Sequence, residues 1–474
     1  MIRPTRVDVP RRPVAQLVPV IGAERLDRLL TGAAAFRARA AGRTVWNINS
    51  TAAGGGVAEM LQVLCGYVQD LEIDVRWATV GGEPDFFALT KRLHNRIHGQ
   101  PDDGELGAAE AYRYEETLAE NAAGLLDQIR PGDLVLLHDP QTAGLAAQLV
   151  EHGAVVVWRC HIGIDHQNDV SIGAWEFLRP YLAPAHGYVF SRKAYPPPWL
   201  PKPMTWIIPP SIDPFSAKNQ PMDPGTVHAI LAAIGVLDGA TKPDAPRRFV
   251  RRDGTPGEVV RPARVVADEL PGPDDPYVLQ VSRWDRLKDM SGVMRGFAEH
   301  VAPDGPGRLI LAGPSVEDVS DDPEGLAVYQ DCLAQWRGLP ADTRRRVVLV
   351  TLPLDDVDEN AAMVNALQRQ ATVVAQKSLA EGFGLTVAES MWKGRPTAGS
   401  AVGGIQDQIV DGTGVLLADP TDLAAFGAAL RTLLDQPDLA ERMGAAAKEY
   451  VAANFVGDVH LLRYAELFGR VLQD

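Results

Sequence analysis

Short apolar runs, each closed by polar residues or glycine and followed by a stretch long enough for a helix, recur along almost the whole chain. Residues 44–49, 73–79, 134–137 and 154–158 form a first series, and residues 277–282, 308–312, 347–350 and 372–375 a second. The runs at 134–137 and 154–158, apolar throughout rather than alternating, read as parallel strands buried on both faces. Parallel neighbours require crossovers, and residues 57–68, 84–97, 111–129 and 142–152 supply them in the first half. Between the two series Pro209, Pro210 and Pro214 fit a stiff connector better than a helix or a central strand. The expected organisation is an N-terminal extension over 1–39, a doubly wound α/β domain over 40–212 and a second over 213–455. Residues 241–272, rich in Pro, Arg and Asp, read as an insertion or mobile loop. Helices follow at 421–434 and 439–452, and an amphipathic helix closes the chain over 456–474. Ligands bind at the carboxyl ends of parallel strands, so two such domains are expected to face each other across a deep cleft that holds the site.

Composition narrows the function classes. With 46 Lys and Arg against 61 Asp and Glu, the formal charge is -15. A general nucleic-acid surface is disfavoured, while a small basic recess for phosphate is not. Cys65, Cys160 and Cys332 are too far apart in sequence for a disulfide framework or a thiolate zinc cluster. There is no apolar run long enough for a membrane span. The first residues carry basic side chains but no long apolar core or cleavage site. They read as an ordered or semi-ordered extension, a basic solvent-facing stretch rather than a targeting segment, with a cytoplasmic protein behind it.

Four stretches could carry chemistry. Glu381-Gly382-Phe383-Gly384-Leu385 follows a strand, and its glycines let the chain turn sharply into a helix whose first amides can receive a diphosphate. Glu381 falls in the loop and Glu389 inside the helix, so one can accept hydroxyl hydrogen bonds from a hexose while the other grips a ribose. Arg283 follows directly on a strand, and Lys288 lies near a helix start; together they could neutralise a diphosphate leaving group. Gly54-Gly55-Gly56 lies between a strand and a helix, without the residues of a dinucleotide fingerprint or a P-loop. His138, Asp139, His161, Asp165 and His166 end strands of the first domain. Their spacing is not that of a zinc site, and hydroxyl recognition suits them better. Asp356-Val357-Asp358 formally reads D-x-D, and is expected to be a solvated acidic loop.

These stretches resemble the signature of retaining, nucleotide-sugar-dependent glycosyltransferases with the GT-B fold. The segment 381–394, the Arg283–Lys288 pair and the glycine loop Gly403-Gly404-Ile405 occur in that family's order. The chain is similar in particular to trehalose synthases of the glycosyltransferring type and to trehalose phosphorylases. That likeness rests on Asn49-Ser50-Thr51, His138-Asp139-Pro140-Gln141, Trp158-Arg159-Cys160-His161-Ile162, Trp175-Glu176-Phe177-Leu178 and the 209–214 and 364–369 segments. The resemblance implies two Rossmann-like domains and a glucosyl transfer, with retention, from a nucleoside diphosphate glucose to glucose, giving α,α-trehalose. It implies that Gly55 and Gly56 approach donor phosphate and acceptor, and that His161 contacts the sugar near the reacting carbon. Arg283, Lys288 and the Phe383, Gly384 and Leu385 amides would hold the diphosphate, Glu381 the hexose and Glu389 the ribose. It also implies a final helix that packs back on the first domain.

The chain departs from this pattern at Asp289, where the family often has Gly; at Ser390, often Ala; and at Thr397-Ala398-Gly399, usually Val-rich. Asp289 is expected to weaken the positive field at Lys288. The leaving phosphate oxygen can accept the acceptor's proton, so no protein base is required. No resident cofactor or metal is called for: the nucleotide sugar is a substrate, and Mg2+ is compatible with the site without being required. The alternative is a phosphorylase, interconverting trehalose plus phosphate with glucose 1-phosphate plus glucose. A non-catalytic nucleotide-sugar-binding regulator is a third reading. The expected partners are small-molecule sugars and nucleotide sugars, with no nucleic acid or membrane, and a homodimer through the N-terminal extension.

Overall fold

The apolar runs become two seven-stranded sheets. The computed structural model describes residues 3–52, 55–102, 104–239, 246–316 and 323–473. The chain divides into one unit of Met1–Ile212 with Phe455–Asp474 and another of Asp213–Asn454.

The first unit contains β1 (Thr5–Val7), β2 (Val45–Asn49), β3 (Val75–Thr79), β4 (Leu134–His138), β5 (Val155–Cys160), β6 (Gly187–Phe190) and β7 (Thr205–Ile207). They run in the order β1-β3-β2-β4-β5-β6-β7, parallel except for β1 against β3. Every residue of β2 and β4 is buried, as a sheet covered on both faces requires. The register pairs His138 of β4 with Arg159 of β5, so both strands end at one edge and deliver His138 and His161 side by side.

The N-terminal extension is ordered, but it is not a solvent-facing stretch. β1 is the edge strand of the sheet, Val14 and Leu17 are buried, and Asp70 accepts from Arg11 Nε at 2.7 Å and from the Val14 amide at 2.8 Å. The helix Val18–Ala40 then packs along the final helix, Gly457–Val471, with Phe36 against Phe468 and Arg25 clasping Asp458. The basic residues misled because Asp70 and Asp458, which receive them, stand far away in sequence.

The second unit holds a hairpin of β8 (Arg248–Val250) and β9 (Pro256–Glu258), then β10 (Arg264–Val266), β11 (Tyr277–Val281), β12 (Arg308–Pro314), β13 (Val347–Leu352), β14 (Val373–Gln376), β15 (Thr397–Ser400) and β16 (Gly414–Leu417). Its sheet order is β10-β13-β12-β11-β14-β15-β16, with only β10 antiparallel. All six residues of β13 are buried. Burial of each large aliphatic side chain there contributes roughly 1.5–3 kcal/mol.

Of the two readings of 241–272, the mobile loop falls, and with it the expectation for the D-x-D segment. Residues 241–245 lie outside the described residues, but 248–266 form a hairpin and an edge strand, not a mobile loop. The D-x-D segment is not a solvated loop either. Asp356 caps the helix Val357–Gln370 by accepting from the Asp358 and Glu359 amides, both at 3.1 Å. The insertion's arginines reach this helix start: Arg251 pairs with Asp356 at 2.7 Å, Arg252 with Asp358 at 2.9 Å, and Arg261 with the buried Glu359. A run of Arg and a run of Asp, each suggesting solvent when read alone, neutralise one another.

Candidate active site

In the second unit the decisive turn is built by glycine. Gly384 stands at φ +78°, in the left-handed region that a Cβ disfavours, and caps the helix Leu385–Trp392. The Gly403-Gly404 loop lies directly against it. A Cβ on Gly403 would stand 1.9 Å from the Glu381 carbonyl oxygen, and one on Gly404 2.6 Å from that of Phe383. Close backbone approach is therefore why both positions are glycine. The Gly404 amide donates to Gly382 at 2.9 Å, and Gln408 Nε2 donates to the Phe383 carbonyl at 2.5 Å, which fixes the turn from behind. A helix start leaves its first amides without the i−4 carbonyl of the helix interior, and here the Val387 amide turns to the Gly384 carbonyl at 2.9 Å.

Lys288 is carried to this turn. It ends the short helical turn Arg286–Lys288, and its Nζ meets Glu381 Oε2 at 2.5 Å. Both side chains are mostly buried. Glu381 also accepts from the Gly382 amide at 3.2 Å and Ser378 Oγ at 3.4 Å. Gln280, fully buried on β11, holds the two segments together. Its Nε2 donates to the Lys288 carbonyl at 2.6 Å and its Oε1 accepts from the Lys377 amide at 3.1 Å. Arg283 lies on the same edge, just past β11, but its exposed guanidinium rests on Asp285 at 3.2 Å. Lys288 and Glu381 are thus in contact, while Arg283 is paired with its own neighbour.

Glu389 is buried one helix face further on, with Lys218 Nζ 3.6 Å from its carboxylate. Lys393 Nζ donates to the Glu389 carbonyl at 3.0 Å and to Asn219 Oδ1 at 2.9 Å. Burial drives the Lys393 ammonium well below the usual lysine range, an effect the Glu389 charge opposes. Lys218 escaped the sequence reading because no local pattern links it to Glu389.

In the first unit Gly55 stands at φ +83° and caps the helix that Gly56 opens, while Gly54 lies outside the described residues. His138 and His161 stack with ring planes 15° apart, and His138 Nδ1 meets His161 Nε2 at 3.0 Å. Arg159 Nε donates to His161 Nδ1 at 3.2 Å, and Asp139 Oδ1 accepts from the His161 amide at 2.7 Å. Burial raises the Asp139 carboxyl to about 7, against the pull of the His161 amide and Arg159. Asp165 is paired with Arg192.

Comparison with known proteins follows this division. The family model for the trehalose synthase N-terminal domain matches residues 47–197, and that for glycosyl transferases group 1 matches 355–450. A trehalose synthase of Rubrobacter xylanophilus is 34% identical over 437 residues, covering 92% of each chain. A trehalose phosphorylase of Pleurotus pulmonarius is 27% identical over 85% of this chain but only 54% of its own. An E. coli structure described as trehalose-6-phosphate bound with UDP-2-fluoro glucose superposes with a TM-score of 0.66 at 12% identity, covering 91% of this chain and 99% of its own. The chain belongs to the trehalose synthase family. It is a glycosyltransferase of the GT-B fold, and its activity is a trehalose-related glycosyl transfer.

For a trehalose synthase family member, the unusual residues prove to be paired. The Asp289 carboxylate, expected to weaken the positive field at Lys288, is engaged by other partners. It is bound by the buried Lys377 and accepts the Gly292 amide at 3.0 Å. The Asp289 φ of +48° is the conformation in which glycine is at ease and Asp is tolerated. Ser390 and Thr397 are fully buried and hydrogen-bonded to one another at 2.9 Å, so one departure answers the other.

Proposed function

We propose that this protein is a retaining glucosyltransferase that makes α,α-trehalose from a nucleoside diphosphate glucose and glucose. The observation that carries the reading is the Lys288–Glu381 contact at 2.5 Å, set at the glycine turn that opens the helix Leu385–Trp392. A cation, a carboxylate and helix-start amides in one place suit a glycosyl phosphate: charge for the phosphate, an acceptor for sugar hydroxyls.

As the donor bond breaks, negative charge grows on the leaving diphosphate. Lys288 and the amides of Phe383 to Leu385 stabilise it more strongly in the transition state than before it, with Arg283 as a second cation. Glu381 binds hydroxyls of the transferred hexose, and Glu389 accepts from the ribose. The acceptor hydroxyl attacks from the face the leaving group vacates, and its proton passes to the leaving phosphate oxygen. Both ring nitrogens of His161 are already engaged, by Arg159 and by His138, which supports a role beside the sugar other than that of base.

The test is a product assay by NMR with glucose and a panel of donors: UDP-, ADP- and GDP-glucose and glucose 1-phosphate with and without phosphate. Trehalose formed from a nucleotide donor, with α,α configuration, supports the reading. Turnover only with glucose 1-phosphate, or phosphate-dependent trehalose cleavage, makes the enzyme a phosphorylase instead. Glu389→Ala should raise the donor dissociation constant, and unchanged nucleotide-sugar affinity would remove the ribose role.

A further inference from the structure

Four buried or partly buried side chains of the first unit form one directional chain of hydrogen bonds. It begins at Arg159, which is fully buried. A guanidinium carries donors only. Its Nη2 donates to the Ile208 carbonyl at 3.1 Å, its Nη1 to the Tyr464 hydroxyl on the final helix, and its Nε to His161 Nδ1 at 3.2 Å. The last bond has one consequence that does not depend on assigned hydrogens. His161 Nδ1 must present its lone pair, so a neutral His161 carries its proton on Nε2.

The rest of the chain follows by the same bookkeeping. His161 Nε2 lies 3.0 Å from His138 Nδ1, so His161 donates and His138 Nδ1 accepts. His138 then carries its own proton on Nε2, which lies 3.2 Å from Asn47 Oδ1, an acceptor. Every donor meets an acceptor, from Arg159 to Asn47, and the opposite direction would set two donors against each other at Arg159. Burial, reinforced by the Arg159 charge, lowers His138 to about 3 and His161 well below the ordinary imidazole range, so both rings are neutral. Asp139 holds the main chain of His161 in place through its amide.

We propose that Arg159 is a positioning residue that locks neutral His161 in the Nε2–H form, occupying its lone pair so that it cannot serve as a base. Its one N–H is spent on His138 Nδ1, so a sugar meets His161 at the ring edge, with neither nitrogen open as acid or base. Tyr464 and the Ile208 carbonyl clamp the guanidinium, which makes the final helix part of this orientation device. The sugar as ligand rests on the function proposed above; the tautomer does not, and it is measured without substrate.

The experiment is two-bond 1H–15N NMR on the full chain labelled at histidine, with His138→Gln and His161→Gln used only to assign signals. The expected spectrum of the unaltered protein shows both rings as pure Nε2–H. An Nδ1–H or charged His161 overturns the proposal. Arg159→Met removes the fixed donor and should release His161 into a mixture of tautomers, whereas Arg159→Lys keeps a donor and should keep the single form. A pure Nε2–H signal in folded Arg159→Met overturns the role of Arg159. If that variant does not fold, the unaltered protein and Arg159→Lys still decide the matter. In the product assay Arg159→Met should lose kcat with little change in KM, and Arg159→Lys should recover part of it. Absence of any glucosyl transfer by the unaltered protein would instead defeat the proposed function and leave the spectra standing.

Discussion

Replacing Lys288 by Ala should damage turnover much more than folding, and the structure sets both magnitudes. The Lys288 ammonium lies 2.5 Å from Glu381, with side-chain exposures of 16% and 11%. If it stabilises a leaving diphosphate, its removal costs the transition state about 3 kcal/mol, the scale of losing one preorganised donor. At about 1.36 kcal/mol per decade this is a fall of roughly 150-fold in kcat/KM. The folding cost is smaller. Glu381 keeps the Gly382 amide at 3.2 Å and Ser378 at 3.4 Å, so it loses its best partner without being orphaned. Removing one partner of such a bond costs about 1–3 kcal/mol, which lowers the melting midpoint by roughly 2–12 °C. The assay is steady-state release of nucleoside diphosphate well below both melting midpoints, with donor affinity measured separately by calorimetry. Lys288→Met, which keeps most of the aliphatic stem, separates lost charge from lost packing and should behave like the alanine variant. A rate within about threefold of the parent, in a folded protein, corresponds to less than about 0.7 kcal/mol and would refute the leaving-group role.

Two further outcomes test the fold. Arg25→Met leaves the Asp458 carboxylate, 2% exposed and held by two bonds at 2.8 and 2.9 Å, without its cation; the expected loss is about 3–5 kcal/mol in urea unfolding, and Arg25→Met with Asp458→Asn should be less damaging than Arg25→Met alone. Arg251 holds the Asp356 carboxyl down to about 2 from an ordinary 3.8. The stability from this lowered value is present above the ordinary value and is lost as pH falls toward the folded-state one. Asp356→Asn should therefore flatten the acid limb of a stability–pH curve in that window, and an unchanged limb would show that the Arg251 contact contributes nothing to acid stability.

How much of the protein could be read without coordinates depended on how locally each feature is encoded. The central strands were legible because strands covered on both faces are mostly apolar, as β4 and β13 are apart from His138 and Thr351. The edge strands β1 and β10 were not, since each is short and stabilised by a partner far along the chain rather than by its own pattern. The turn at Gly382-Gly384 and the helix it opens were legible because a left-handed φ and a close backbone approach call for glycine. The N-terminal arginines and the Asp355–Glu359 cluster misled for the complementary reason: a charge reads as solvated until its counter-charge is located.

By itself the sequence determined the α/β class, the break near the three prolines, the glycine turn and the family. Each of these depends on residue types at short spacing. Only the tertiary structure decided partnership. It joined Lys288 to Glu381, Lys377 to Asp289 and Ser390 to Thr397, and it ran a one-way chain of hydrogen bonds from Arg159 through two histidines to Asn47. Such contacts join chain segments, in several cases almost a hundred residues apart, and depend on strand register and helix packing. Composition and periodicity carry no trace of which distant donor will meet which acceptor.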